Sequence, residues 1–162
     1  MRVPFSQYSR LFFPSLFAQL RDGIDPNKIR ISQIAWFCQF IEVSLRPRDR
    51  CLLWVTEWRV WPSSENWYLY YRLRQSYRDH QLIEEASGHL FLDYEASDLI
   101  SFLQVGLIAG MDMHLIPTVS YGRVFISHDE WVEFAMQDAL ELDNIKADLV
   151  KAGSVTFEPD SS

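Results

Sequence analysis

Ser127-His128-Asp129-Glu130-Trp131 is the densest run of reactive side chains in this sequence. A hydroxyl, an imidazole and two carboxylates side by side are the ingredients of nucleophilic or acid–base catalysis. Their spacing works against a local triad, because neighbouring positions on a helix do not face one another. S-x-x-E ahead of an apolar run is also a capping box, in which Ser127 accepts from the Glu130 N–H and the Glu130 side chain reaches back to Ser127. Asp129 and Glu130 would at the same time offset the positive end of the helix dipole. One device accounts for every polar residue of the run, so we expect a helix from Asp129 to about Glu141, extending toward Lys151, and no catalytic residue here.

His80, His89, His114 and His128 form no H-E-x-x-H or other close ligand spacing, and no metal or cofactor is expected. A second reading, a small hydrolase, would use His128 with Asp129, or His114 with Asp93 where neighbouring strand ends bring them together. The six glycines are scattered singly and form neither G-x-x-x-x-G-K-[ST] nor G-x-G-x-x-G. That argues against the familiar nucleotide-dependent chemistries.

Binding chemistry is better represented. Trp54, Trp58, Trp61, Trp67, Tyr68, Tyr70, Tyr71 and Tyr77 are interleaved with Arg59, Arg72 and Arg74, and Arg78 follows them. Trp, Tyr and Arg are the usual hot-spot residues of protein interfaces. Rings beside guanidiniums also serve single-stranded nucleic acid, a third reading for segment 54–78 that the net charge of −7 places last. Trp67, Tyr70, Tyr71 and Arg74 stand at i, i+3, i+4 and i+7, the spacing of a core-facing helical stripe. Trp58, Trp61, Tyr68 and Arg72 are left as partner contacts.

Charge is divided unevenly. Residues 1–78 carry 12 basic and 6 acidic side chains, and residues 79–162 carry 3 basic and 16 acidic ones. Asp93, Glu95 and Asp98 gather at one predicted helix start, and Asp129, Glu130 and Glu133 at another. With parallel strands both starts would share one edge of a sheet and make a negative patch that steers a basic partner. We therefore expect a small acidic protein-binding module, inhibitor-like or immunity-like, for a basic protein such as a nuclease or toxin, with room for a homodimer.

A single domain must position these residues. The 162 residues are 48% apolar and 23% charged, as in a soluble globular unit. Apolar runs such as Leu11–Phe13 and Leu52–Val55 are too short for a membrane span. Cys38 and Cys51 read as buried free thiols of a reducing compartment. Pro14 interrupts the only leader-like stretch and no A-x-A-like site follows it, so a cytoplasmic location is expected.

Pro14–Gly23 reads as a short helix, and Asp25-Pro26 opens a second that runs to about Leu45 with Ile34, Phe37, Cys38 and Ile41 on its inner face. Residues 1–47 would be a helical subdomain packed on a core of residues 51–153, with 154–162 a frayed polar tail. In that core we expect a strand at Cys51–Trp61, a helix from Ser63 or Ser64 to about Asp79 and a strand at His89–Leu92. A helix at Tyr94–Ala109 follows, capped by Asp93 and closed by Gly110, then strands Asp112–Ile116 and Arg123–Ser127 and the last helix. The order β-α-β-α-β-β-α predicts an α/β (or α+β) fold, a mixed sheet of about four strands with parallel pairs across its β-α-β units, preceded by N-terminal helices.

Overall fold

The computed structural model describes residues 7–12, 30–46, 48–58, 63–82, 84–119, 122–129, 131–151 and 156–157. The helix expected at Pro14–Gly23 and the Asp25-Pro26 cap lie outside these residues. In chain order the elements are β1 (Gln7–Phe12), α1 (Arg30–Ser44), β2 (Arg50–Glu57), α2 (Ser63–Ser76), β3 (Gly88–Leu92), α3 (Ala96–Ala109), β4 (Asp112–Pro117), β5 (Gly122–Ile126), β6 (Trp131–Met136), α4 (Ala139–Lys151) and β7 (Thr156–Phe157). A 3-10 turn, Asp93–Glu95, joins β3 to α3.

The fold is α+β. Among the described residues seven strands form one sheet in the order β3-β2-β4-β5-β6-β1-β7, and every pairing is antiparallel. The expected sheet of about four strands with parallel pairs is corrected on both counts. α3 does carry the chain between two strands that run the same way, but β2 lies between β3 and β4 and opposes both. The N-terminal part, expected to be helical, also supplies the strand β1, and the tail expected to fray supplies β7, which pairs with Leu11 and Phe12. β2 ends at Glu57 rather than Trp61, after a register shift between Val55 and Glu57.

Trp131–Met136, expected as the opening turns of a helix, is a strand. Val132 and Phe134 are buried while their neighbours Trp131 and Glu133 are only half-buried, a period of 2 that gives way to full burial at Ala135 and Met136. Trp131, Phe134 and Ala135 also satisfy i, i+3, i+4, which is why the helical template fitted. Pairing to β5 on one side and β1 on the other decides for the strand. The last helix starts at Ala139, where Asp138 Oδ1 accepts from the Leu140 N–H at 2.9 Å.

One face of the sheet carries the core. Cys51, Leu53 and Val55 of β2 lie in register with Phe91 of β3 and with Met113 and Leu115 of β4, and continue through Val124, Ile126, Val132 and Phe134. α1 buries Ile34, Phe37, Cys38 and Ile41 there, Leu45 just past its end is buried with them, and Phe40 meets Phe134 edge-on at 6.3 Å. Phe102 of α3 sits against Phe91 at 5.0 Å and Tyr70 of α2 at 5.4 Å. Gly106 allows α3 to approach so closely that a Cβ there would lie 2.2 Å from Met113 Sδ. Gly110, left-handed at φ 67°, closes the helix as expected, its N–H and that of Met111 donating to the Leu107 and Gly106 carbonyls at 3.2 and 3.0 Å. Leu142, Ile145 and Leu149 of α4 belong to the same continuous core.

The charged stretch between α1 and β2 is partly internal. Arg48 is buried, with Nη1 donating to the Glu42 carbonyl at 2.9 Å and Nη2 to Glu42 Oε1. Arg46 donates to that same carboxylate oxygen from Nε and Nη2 at 3.0 and 2.8 Å. Burial alone would push the Glu42 carboxyl up, and the hydrogen bonds from Arg46 and Arg48 more than reverse this, holding it below its ordinary value. Such a group contributes stability above the ordinary carboxylate range, and the contribution is lost as pH falls through the lowered value. Arg48→Ala, which leaves the buried Glu42 carboxylate to Arg46 alone, is expected to lower the unfolding free energy by about 1–3 kcal/mol in urea titrations. The more exposed Arg46→Ala should cost only about 0–1 kcal/mol. Glu42→Gln should lose stability less steeply than wild type as pH is lowered from neutral, followed by circular dichroism.

Candidate functional site

Side chains that alternate with the core point to the other side of the sheet. The register sets Leu90, Leu52 and Ile116 in one row, and Trp54, His114, Phe125 and Glu133 in the next. Trp54 and His114 have ring centroids 5.4 Å apart, His114 stacks on Phe125 at 4.4 Å, and Phe125 meets Trp131 edge-on at 5.0 Å. Four rings thus form a continuous row across β2, β4, β5 and β6. Trp54 is 43% exposed, Leu90 47% and Ile116 39%, so the face opens to solvent along β3, β2 and β4. The Trp54 indole is oriented by its Nε1–H, which donates to Ser87 Oγ at 2.9 Å.

The end of this face formed by the C-terminus of β2 and the β5–β6 turn is acidic. Glu57 faces Asp112 across β2 and β4. Glu133 lies opposite Phe125, with its Oε1 3.9 Å from Arg123 Nη2. The turn itself is a hairpin closed by the Ser127 N–H donating to the Trp131 carbonyl at 2.9 Å, and Ser127 Oγ accepts from the Asp129 N–H at 3.2 Å. The helix cap expected at Ser127 is therefore a hairpin turn. Asp112 Oδ1 accepts from the His128 backbone N–H at 2.6 Å and lies 2.7 Å from His128 Nδ1. An ionised carboxylate only accepts, so Nδ1 carries the proton. Nε2 is 3.5 Å from Asp129 Oδ1. With a carboxylate at each ring nitrogen, His128 fastens the turn to β4.

The residues selected from the sequence separate into several places. Asp93, Glu95 and Asp98 stand where β3 runs into α3, at the opposite end of the sheet from Asp129 and Glu133. The shared negative edge does not form, because its second helix start is the β5–β6 hairpin. Asp93 does not cap α3: its carboxylate lies 3.8 Å from Arg46 Nη1, and Glu95 Oε2 accepts from the Leu92 N–H at 2.8 Å. His114 and Asp93 are not brought together, being on and beyond strands that β2 separates, with His114 level with Gly88 of β3. Tyr68 and Arg72 are exposed on α2, and Trp58 is half-buried against the core just after β2. Trp61 and Glu130 lie outside the described residues.

Part of the aromatic–Arg segment belongs to the core. Tyr70 and Arg74 are buried, and Arg74 donates to Asp79 Oδ2 from Nε and Nη2 at 2.9 and 2.7 Å. Arg78 takes the left-handed conformation, φ 60°, at the end of this helix and lets Asp79 turn back toward Arg74. The ring row was missed as a set because its members come from four strands. The detectable signal was alternation, Trp54 between Leu53 and Val55 and Phe125 between Val124 and Ile126, but only the register shows that these rings share a row. Among the described residues no cluster of His, Cys, Asp and Glu could hold a metal ion, and no helix is long and apolar enough to cross a membrane. Comparison with known families, curated proteins and solved structures gives no match.

His114 reports on the face directly. Burial, followed by the Arg123 guanidinium, pushes its imidazole below the ordinary value of 6.5, with Asp112 and Glu133 acting the other way. A histidine lowered in this way contributes full stability above its ordinary pKa and loses it as pH falls toward the lowered one. In an NMR titration its ring protons are expected to reach their midpoint below 6.5. Arg123→Gln should move the midpoint up and Glu133→Gln should move it down.

Proposed function

We propose that this protein is a protein-binding module whose outer sheet face receives a basic partner. The row Trp54–His114–Phe125–Trp131 carries this reading, open to solvent at Trp54 and continuous with Leu52, Leu90 and Ile116. Contiguous apolar surface of this kind marks an interaction site, and buried aromatic anchors supply most of the energy at such sites. Glu57, Asp112, Asp129 and Glu133 rim the row against the guanidinium of Arg123. A complementary partner brings Arg or Lys, whose cations lie over ring faces and pair with the rim. Phosphate backbones need Lys and Arg in number, and among the described residues of this rim only Arg123 is basic. A basic nuclease or toxin is a partner of the required chemistry, and the module would act on it as an inhibitor. Buried free Cys38 and Cys51, whose thiols burial pushes up to about 12 and about 11, support a reducing, cytoplasmic setting.

The hydrolase alternative has less support. His128 meets carboxylates at both ring nitrogens, and His114 meets rings rather than Asp93.

The test is titration of the full chain with Arg- and Lys-rich peptides that also carry aliphatic side chains, read by tryptophan fluorescence and amide shift mapping. Saturable binding is expected, centred on β2, β4 and β5 and weakening as salt rises. Trp54→Ala or Phe125→Ala should weaken it by about 10-fold or more, while Tyr68→Ala on α2 should leave it unchanged. Shifts confined to α2, or preference for single-stranded oligonucleotides over the peptides, would overturn the reading.

A further inference from the structure

We propose that β3 is the pairing edge of a homodimer, joining the sheets of two copies of this chain by antiparallel β3–β3 contact. The proposal does not depend on the basic partner, since it uses the edge of the sheet rather than its aromatic row. Among the described residues β3 is the outermost strand at its end of the sheet. The Val55 N–H donates to the Ser87 carbonyl and the Asp93 N–H to the Asp49 carbonyl, each at 3.0 Å. With the register between these two bonds, Ser87, His89, Phe91 and Asp93 turn their backbone groups to β2. Gly88, Leu90 and Leu92 therefore turn theirs outward. One outward donor is already used, because the Leu92 N–H is held by Glu95 Oε2 at 2.8 Å.

What remains at the edge is self-complementary. A two-fold axis through Leu90 sets each Leu90 N–H against the Leu90 carbonyl of the other copy, and each Gly88 N–H against the second lone pair of the Leu92 carbonyl, whose first opens the 3-10 turn at Asp93. Four hydrogen bonds form and no outward N–H is left over. The donor that would have faced the Gly88 carbonyl is the one Glu95 has taken. A surface that matches itself in this way is what an isologous interface requires.

Charge and side chains agree. Edge strands are normally blunted by charged residues, Pro or bulges, and Gly-His-Leu-Phe-Leu carries no Asp, Glu, Lys or Arg. The outward positions bear none of the net −7 of the chain, so two acidic copies meet along a strand where like charges do not oppose one another. Leu90, almost half exposed on the outer face, would be covered by Leu90 of the second copy, beside Leu52 of each.

Sedimentation velocity of the full chain is the test, over a rising concentration series. The expected mass moves from 19.1 kDa toward twice that value. Leu90→Lys, which opposes two cations on the axis, should hold the chain as monomer. Leu90→Pro should do the same by removing the central donor, while sparing the β2–β3 ladder because that N–H points away from β2. Circular dichroism of both variants should match wild type, and exchange of the Leu90 amide in wild type should slow as the dimer forms. A chain monomeric at every concentration, or a dimer that survives both substitutions, overturns the proposal. So does protection of the Leu90 amide only when an extended segment of a different protein is added.

Discussion

Each strand from β2 to β6 sends alternate side chains into two surroundings, a helix-covered core on one side and an outer face on the other, and everything else in the molecule depends on keeping the two sets apart. A slip of one residue in β4 would put His114 in the core and Leu115 outside. Two features hold the register. Gly106 lets α3 settle onto Met113, which fixes β4 against the helix layer. The irregularity between Val55 and Glu57 falls beyond Trp54, so β2 stays in step with β4 for as long as its rings and core residues matter.

The buried charges sit where one element hands over to the next. Glu42 and Arg48 tie the end of α1 to the approach of β2, and Arg74 and Asp79 tie the end of α2 to the segment leading into β3. Asp79 also lies 3.4 Å from His89 Nδ1, and His89 stacks on Phe102 at 5.0 Å. Burying an ion pair is costly compared with an apolar pair of the same shape, so these pairs fix geometry more than they raise stability. They act on the chain exits, adding side-chain ties to the turn hydrogen bonds that close α1 and α2 there.

Helices were the most legible part of the sequence and the site the least. Ile34, Phe37, Cys38 and Ile41 announce α1 because burial follows a 3.6-residue period along one element, and Gly110 announces the end of α3 because a left-handed cap needs it. Trp131–Met136 satisfied both periods over six residues, and the deciding fact, pairing with β1 and β5, lies more than a hundred residues away on one side. The β3–α3–β4 passage was legible as a crossover but not as one that steps over β2. Strand order is set by where the helix layer meets the sheet, which local pattern does not encode. The acidic groups went wrong for the same reason: Asp93 and Asp129 each follow a strand, but those strands end at opposite ends of the sheet.

Twenty-four residues are aromatic, and among the described ones they divide between the two faces of the sheet. The inner face takes Phe37, Phe91, Phe102, Phe134 and Tyr70, and the outer face gathers Trp54, His114, Phe125 and Trp131 in a row that the core has no need of. Leu90 lies on that face and also on the end strand of the described sheet. Three strand-to-strand steps separate β2 from its counterpart across a β3–β3 junction, and at roughly 20–25° of twist per step the two Trp54 rings would face directions some 60–75° apart. Two ring rows set at that angle line a saddle rather than a plane. In the proposed dimer such a shape would suit a convex protein surface better than a flexible strand.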